Sequence, residues 1–298
     1  MTGTSHSEDK YQNLSLGLTI ALAEIVLMIG ISVMVKHLSS DLSTVAILMF
    51  RYIFCLPLLV FTAVLERGRK ALFVSQFKAL IMRIAAGLAS LSCFYAALDI
   101  LSLAKVTVLL QMITVFITFL APFLLGEYIG KRRWLAVLFG FGGVFILLNP
   151  GPSEWSFVGF ILGLGAPFFG AVMMIMLRKL GQSDNPASTA IWYNVTGAIL
   201  FTIIFWWQGE FFPNSSFDLM ILLMVGVLSS FQQYFIAFSH RLAPASFLAP
   251  FRYLSVPIGI AAGVIFFDER ITTTIIFGSA VIILSSCFIL WREKKIKS

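Results

Sequence analysis

Leu103-Ala104-Lys105-Val106-Thr107-Val108-Leu109 is echoed by Leu242-Ala243-Pro244-Ala245-Ser246-Phe247-Leu248. About one apolar run further on, Gly126-Glu127-Tyr128-Ile129 is echoed by Asp268-Glu269-Arg270-Ile271. The offset between matching positions drifts only from 139 to 142, so the chain is two copies of one unit in tandem. Each pair of echoes brackets an apolar run, at 103–125 and 243–266. Working outward, further runs lie near 15–35, 44–65, 77–98, 132–149, 157–177, 187–207, 218–239 and 273–291. A helix needs about 20 apolar residues to cross a bilayer. The pattern therefore predicts an all-α membrane protein of ten transmembrane helices, with a first five-helix repeat over 1–149 and a second over 150–298. An odd number of spans per repeat turns the second copy over in the membrane. Glu127 and Glu269 then fall on opposite faces.

Composition agrees with this reading. The 298 residues are 59% hydrophobic and 12% charged, with a mean hydropathy of +0.95, which a water-exposed surface would not tolerate. Ten spans and their connections use the whole length and leave no second, soluble domain. Met1 to Asn13 is polar and shows no basic n-region and no A-x-A-like cleavage site, so the first run reads as a retained helix. Cys55, Cys93 and Cys287 sit in apolar runs without CxxC spacing, which predicts small core residues and neither disulfide nor metal.

The net charge of +7 is distributed as a membrane protein distributes it. With a cytoplasmic N-terminus, sixteen of the 21 basic residues fall on the cytoplasmic side, Arg83, Arg132, Arg178 and Lys179 among them. Lys36, Lys105 and Arg270 fall on the other side, and Arg51 and Arg252 within spans. By the positive-inside rule both termini are expected in the cytoplasm, and the protein in a bacterial inner membrane. A nucleic-acid partner is not expected.

Several motifs resemble the drug/metabolite transporter superfamily, EamA type, across essentially the whole chain. They are Phe50-Arg51 in the second span, the leucine-alanine entries at Leu103-Ala104 and Leu242-Ala243, and the closing Gly126-Glu127 and Asp268-Glu269. Gly140-Phe141-Gly142-Gly143 and Ala249-Pro250-Phe251-Arg252-Tyr253-Leu254 are similar to a bacterial subgroup assigned amino acids, carboxylates, amines or S-adenosylmethionine. The resemblance implies paired five-helix repeats and a carrier. Two departures stand out: Thr114-Val115 where the repeat often carries proline, and Glu24 in the first span, where an acid is unusual.

Candidate substrate-binding residues follow from what is polar inside the spans. Glu24, Arg51 and Arg252 are ionisable at mid-span, where a charge normally faces a partner or a watery cavity. Two readings are open. Glu24 pairs with an arginine; or Arg252 is a fork for a substrate carboxylate, with Glu24 an ammonium partner or a proton carrier. Pro250 and Pro257 bracket Arg252 and predict a helix break beside it. Thr107, Gln111, Thr114 and Thr118 are spaced by four, three and four, one stripe on one helix face. Gln232, Gln233 and Tyr234, with Trp192, Tyr193 and Asn194, offer polar groups on two further spans. Tyr95 and Tyr253 lie beside polar residues and complete the set. Gly159/Gly163 and Gly259/Gly263 predict close helix approach.

Other classes find little support. The histidines His6, His37 and His240 are far apart, and HExxH, a Gly-rich phosphate loop and Gly-x-Ser-x-Gly are missing, so an enzyme is not expected, nor a catalytic residue, metal or cofactor. The expectation is a secondary transporter of a small polar organic metabolite, an amino acid or related zwitterion or carboxylate. The alternative is a carrier of S-adenosylmethionine or another organic cation or amine. The expected partners are a small-molecule substrate and the lipid bilayer, with proton coupling or exchange as the driving mode.

Overall fold

The computed structural model describes residues 13–68, 73–126, 130–148, 156–180, 186–213, 215–243 and 245–297. Among these residues the regular structure is helical: α1 (Leu14–Leu38), α2 (Thr44–Arg67), α3 (Phe77–Ile100), α4 (Leu103–Leu110), α5 (Met112–Leu125), α6 (Lys131–Leu148), α7 (Phe157–Leu180), α8 (Pro186–Trp207), α9 (Ser216–Leu242), α10 (Ala245–Leu248), α11 (Ser255–Phe267) and α12 (Thr273–Lys297). A 3₁₀ segment, Ala249–Leu254, joins α10 to α11. Eight spans are long and apolar enough to cross a bilayer, α4 and α5 counting as one. The shorter apolar helices Trp134–Leu147 and Phe251–Phe267 complete the ten. Glu127, Tyr128 and Ile129 of the first closing motif lie outside the described residues, as do Lys10, Arg69 and Lys70 of the charge pattern.

Helix ends follow local chemistry. Ser43, Ser102 and Ser215 are N-caps whose side chains accept from the amides of Ala46, Lys105 and Asp218, satisfying donors that the first turn leaves open. Gly126 ends α5 at φ 67°, and Asp268 ends α11 at φ 51°, so the two repeats terminate these helices with the same left-handed cap.

The repeats do not build separate cores. The main helix contacts pair α3 with α7, α6 with α12, α1 with α9, α2 with α8 and with α9, α5 with α7, and α4 with α11. Each pair joins one half to the other, and the α3–α7 and α1–α9 pairs are each other's counterparts when the halves are exchanged, as two copies of one unit require. One buried cluster runs from Ile29 and Tyr52 through Tyr95 to Tyr193, Phe205 and Leu222; a second runs from Val108 and Met112 through Val137 to Ile282. Glycines permit close approaches between the halves, Gly226 against Phe54 the tightest and Gly163 and Gly259 among the others. A Cβ on Gly163 would lie 2.8 Å from Leu109 Cδ1, and one on Gly259 2.6 Å from Thr107 Oγ1.

Candidate functional site

The decisive local feature is that the fourth and ninth spans are both broken. Span four stops at Gln111, where α4 ends and α5 begins, and span nine is interrupted by Ala249–Leu254, which includes Pro250. The proline pattern around Arg252 predicted the second break. The first has no proline, and Gln111 marks it. The two breaks meet: Gln111 Nε2 donates to Ser255 Oγ at 2.7 Å, and Ser255 Oγ donates to the carbonyl of Arg252 at 2.7 Å. Ser286 on α12 reaches the Gln111 carbonyl at 3.5 Å. The Gln111 carbonyl is thereby answered from the other half and the Arg252 carbonyl from its own, meeting the demand of an apolar medium. Tyr253 is placed here too, its buried hydroxyl near Thr114, Ser286 and Cys287 but without a completed hydrogen bond. Thr107 and Thr118, by contrast, spend their hydroxyls on their own helix, on the carbonyls of Leu103 and Thr114.

Glu24 is 5% exposed on α1 and accepts from Gln232 Nε2 at 3.2 Å. Beside it, Ala21 packs on Leu248, and α1 contacts the 3₁₀ segment that carries Arg252. Opposite charges thus stand on touching elements, yet the ion pair found among the described residues joins Lys36 and Glu269 instead. The Glu24–arginine pair, one of the two open readings, is not formed among the described residues: Gln232 bonds the carboxylate, and Arg252 is half-buried.

Arg51 and three tyrosines form a separate group. Arg51, 5% exposed, lies 4.7 Å from the Tyr52 ring and beside Tyr95 and Tyr193. Tyr52 and Tyr193 meet edge to face at 5.5 Å with their hydroxyls 2.8 Å apart. Arg83, placed at the cytoplasmic edge by its charge, is in fact turned inward on α3, 5% exposed and 4.6 Å from the Tyr193 ring. It begins only two turns into the helix, but its side chain has the Tyr193 face to cover, which sequence does not reveal.

Asn194 and Gln233 are joined, Nδ2 to Oε1 at 3.3 Å, and Gln233 continues to Cys55 Sγ at 3.4 Å, tying α8, α9 and α2. Trp192 and Tyr234 are 40% and 39% exposed on the accessible surface, and Tyr234 stacks on Phe238. They are the members of the candidate set that the fold leaves outermost.

Glu269 has a role that its place in a repeated motif only hinted at. Its carboxylate accepts from the amides of Leu103 at 2.6 Å and Ala104 at 3.1 Å, capping α4 from the other repeat. Lys36 stands 3.7 Å away and donates to the carbonyls of Leu98 and Leu101 at 3.0 and 2.8 Å. One end of α1, the α3–α4 corner and the end of α11 are locked together there.

Ten spans in inverted halves, with two discontinuous helices crossing inside, define the class of secondary carriers. The chain belongs to the EamA-like transporter family, whose model matches twice, over residues 15–149 and 157–291. It is similar to a riboflavin transporter of Vibrio cholerae, 32% identical over 63% of this chain and 62% of that one, so the match spans under two thirds of the relative's length. It is also similar to an S-adenosylmethionine uptake transporter of Rickettsia prowazekii, 27% identical over 88% of each chain, and to the pseudopaline exporter of Pseudomonas aeruginosa, 26% identical over 88% and 91%. A crystal structure of another protein shares the fold with a TM-score of 0.66 at 14% identity, covering 95% of this chain and 99% of that one.

Proposed function

We propose that this carrier moves a zwitterionic organic metabolite, one that bears a carboxylate together with a cationic centre, across a bacterial inner membrane. The observation that carries the reading is the separation of Glu24 from Arg252 on touching elements, neither of them in an ion pair with a described residue. A buried charge is costly in lipid unless something answers it, so two opposite charges on touching elements, unpaired among the described residues, suit a solute that carries both. Glu24 would hold the cationic centre, with Gln232 fixing its carboxylate, and Arg252 would grip the carboxylate through two parallel bonds. Tyr253, Gln111 and Thr114 would border the solute at the crossing.

The relatives bear on size. S-adenosylmethionine, named for the Rickettsia carriers, has an amino-acid end and a sulfonium, and it fits this charge pattern better than a free amino acid, which the relatives do not support. Riboflavin, named for the Vibrio protein, has no such charges and is the competing solute.

The test is counterflow in proteoliposomes loaded with S-adenosylmethionine, riboflavin or methionine. Exchange of S-adenosylmethionine that falls at least about tenfold in Arg252→Lys, because an ammonium cannot reproduce the fork, supports the reading. Exchange of riboflavin alone, or full activity in a stable Arg252→Gln protein, overturns it. Glu24→Gln is expected to lower counterflow, as the Arg252 variants do, if Glu24 holds the cationic centre; if it carries a proton instead, Glu24→Gln spares counterflow and abolishes uptake driven by a pH gradient.

A further inference from the structure

Among the described residues, no carboxylate pairs with Arg51 or Arg83. Both are 5% exposed, and on each the Nε and Nη1 atoms are buried without a hydrogen-bond partner. The acids that could answer them are engaged elsewhere: Glu269 with Lys36 and the amides of α4, and Glu24 with Gln232. The tyrosine rings under the two guanidiniums, 4.7 and 4.6 Å away, answer part of the charge. A ring face, however, is no acceptor for N–H groups that point away from it. Two buried positive charges, with vacant donors around one pair of touching rings, find no negative charge among the described residues and are suited to take it from a ligand.

We infer that Arg51 and Arg83 form an oxyanion site around the Tyr52–Tyr193 pair, distinct from the crossing at Gln111 and Ser255. Guanidinium donors match the spaced oxygens of a carboxylate or phosphate, and the hydroxyls of Tyr52 and Tyr193, bonded to each other at 2.8 Å with Tyr193 also reaching the Gly87 carbonyl at 3.4 Å, fix the two rings between them. The site spans α2, α3 and α8, three helices drawn from both repeats. Its occupant is a free oxyanion or the carboxylate of a transported molecule, since both present the same chemistry.

The test uses the full chain in lipid nanodiscs. Its unfolding midpoint is followed while sodium acetate or sodium phosphate replaces sodium chloride at constant ionic strength. The site predicts a saturable rise in the midpoint that Arg51→Gln and Arg83→Gln each abolish. Where a glutamine variant does not fold, the lysine variant keeps the charge, and the apparent affinity is expected to drop about tenfold through loss of the fork. A native protein indifferent to both oxyanions, equal stabilisation by chloride, or an undiminished response in the variants overturns the site. Counterflow in the same lipids separates the two sources. Inhibition of exchange by external acetate or phosphate assigns the site to the solute's own carboxylate, and exchange unaffected by them assigns it to a free oxyanion. Absence of transport with an intact oxyanion response defeats the carrier substrate above and leaves this site standing; transport without the response does the reverse.

Discussion

Gln111 and Ser255, 144 residues apart, are joined by a 2.7 Å hydrogen bond at the point where the helices of both repeats break. Gln111 lies between α4 and α5 and Ser255 is the first residue of α11, so one amide–hydroxyl contact registers the two inverted halves against each other. A carrier that rocks one half on the other must keep or exchange this contact.

A double-mutant cycle on Gln111→Leu and Ser255→Ala measures it. Polar contacts between helices in membranes contribute about 0.6 kcal/mol, rarely above about 1.7. The coupling is expected in that range for unfolding, with a larger effect of either single change on exchange rate than on stability. Strictly additive stabilities and unchanged exchange would make the contact incidental.

Glu269→Gln tests the lock at the α4 N-terminus. The amide keeps one acceptor for Leu103 or Ala104 but loses the charge that favours a helix N-terminus and the pairing with Lys36, 3.7 Å away. A loss of about 1 kcal/mol is expected from the cap. Lys36→Met should cost less in the Glu269→Gln background than in the native chain. Equal costs in both backgrounds would dissociate the two residues.

Glycine substitutions should rank by what the new methyl meets. In Gly278→Ala it would lie 2.8 Å from the backbone nitrogen of Leu147, which cannot move aside, and overpacking of about 1–3 kcal/mol is expected. In Gly163→Ala it meets the mobile tip of Leu109, and the cost should be smaller. Gly142→Ala meets nothing within 4 Å and should be neutral or stabilising, since alanine is the better helix former. Thermal midpoints in a different order would contradict the α6–α12 packing.

Topology is tested by single cysteines in a cysteine-free background. The charge asymmetry predicts that a membrane-impermeant thiol reagent added to intact cells misses Ser5→Cys and Ile296→Cys and labels Ser153→Cys. Labelling of either terminus from outside would invert the orientation proposed here.

The sequence by itself determined the membrane, the spans and the repeat. Lipid admits few solutions: a polar backbone must close its hydrogen bonds within each helix, so hydropathy alone locates the spans. The echo of Leu103-Ala104 in Leu242-Ala243 then fixes their inverted pairing. The break beside Arg252 was legible because proline removes a backbone donor; the break at Gln111 was not, because it depends on Ser255 and Ser286 arriving from the other half. Tertiary structure alone decided which polar residues meet. Glu24 found an amide in Gln232, Glu269 found the backbone of α4, and Arg83 turned inward onto the ring of Tyr193. Periodicity tells which face of a helix turns inward. It does not tell which residue of another helix stands there, because that is set by contacts between segments more than a hundred residues apart, closed by glycines small enough to let them touch.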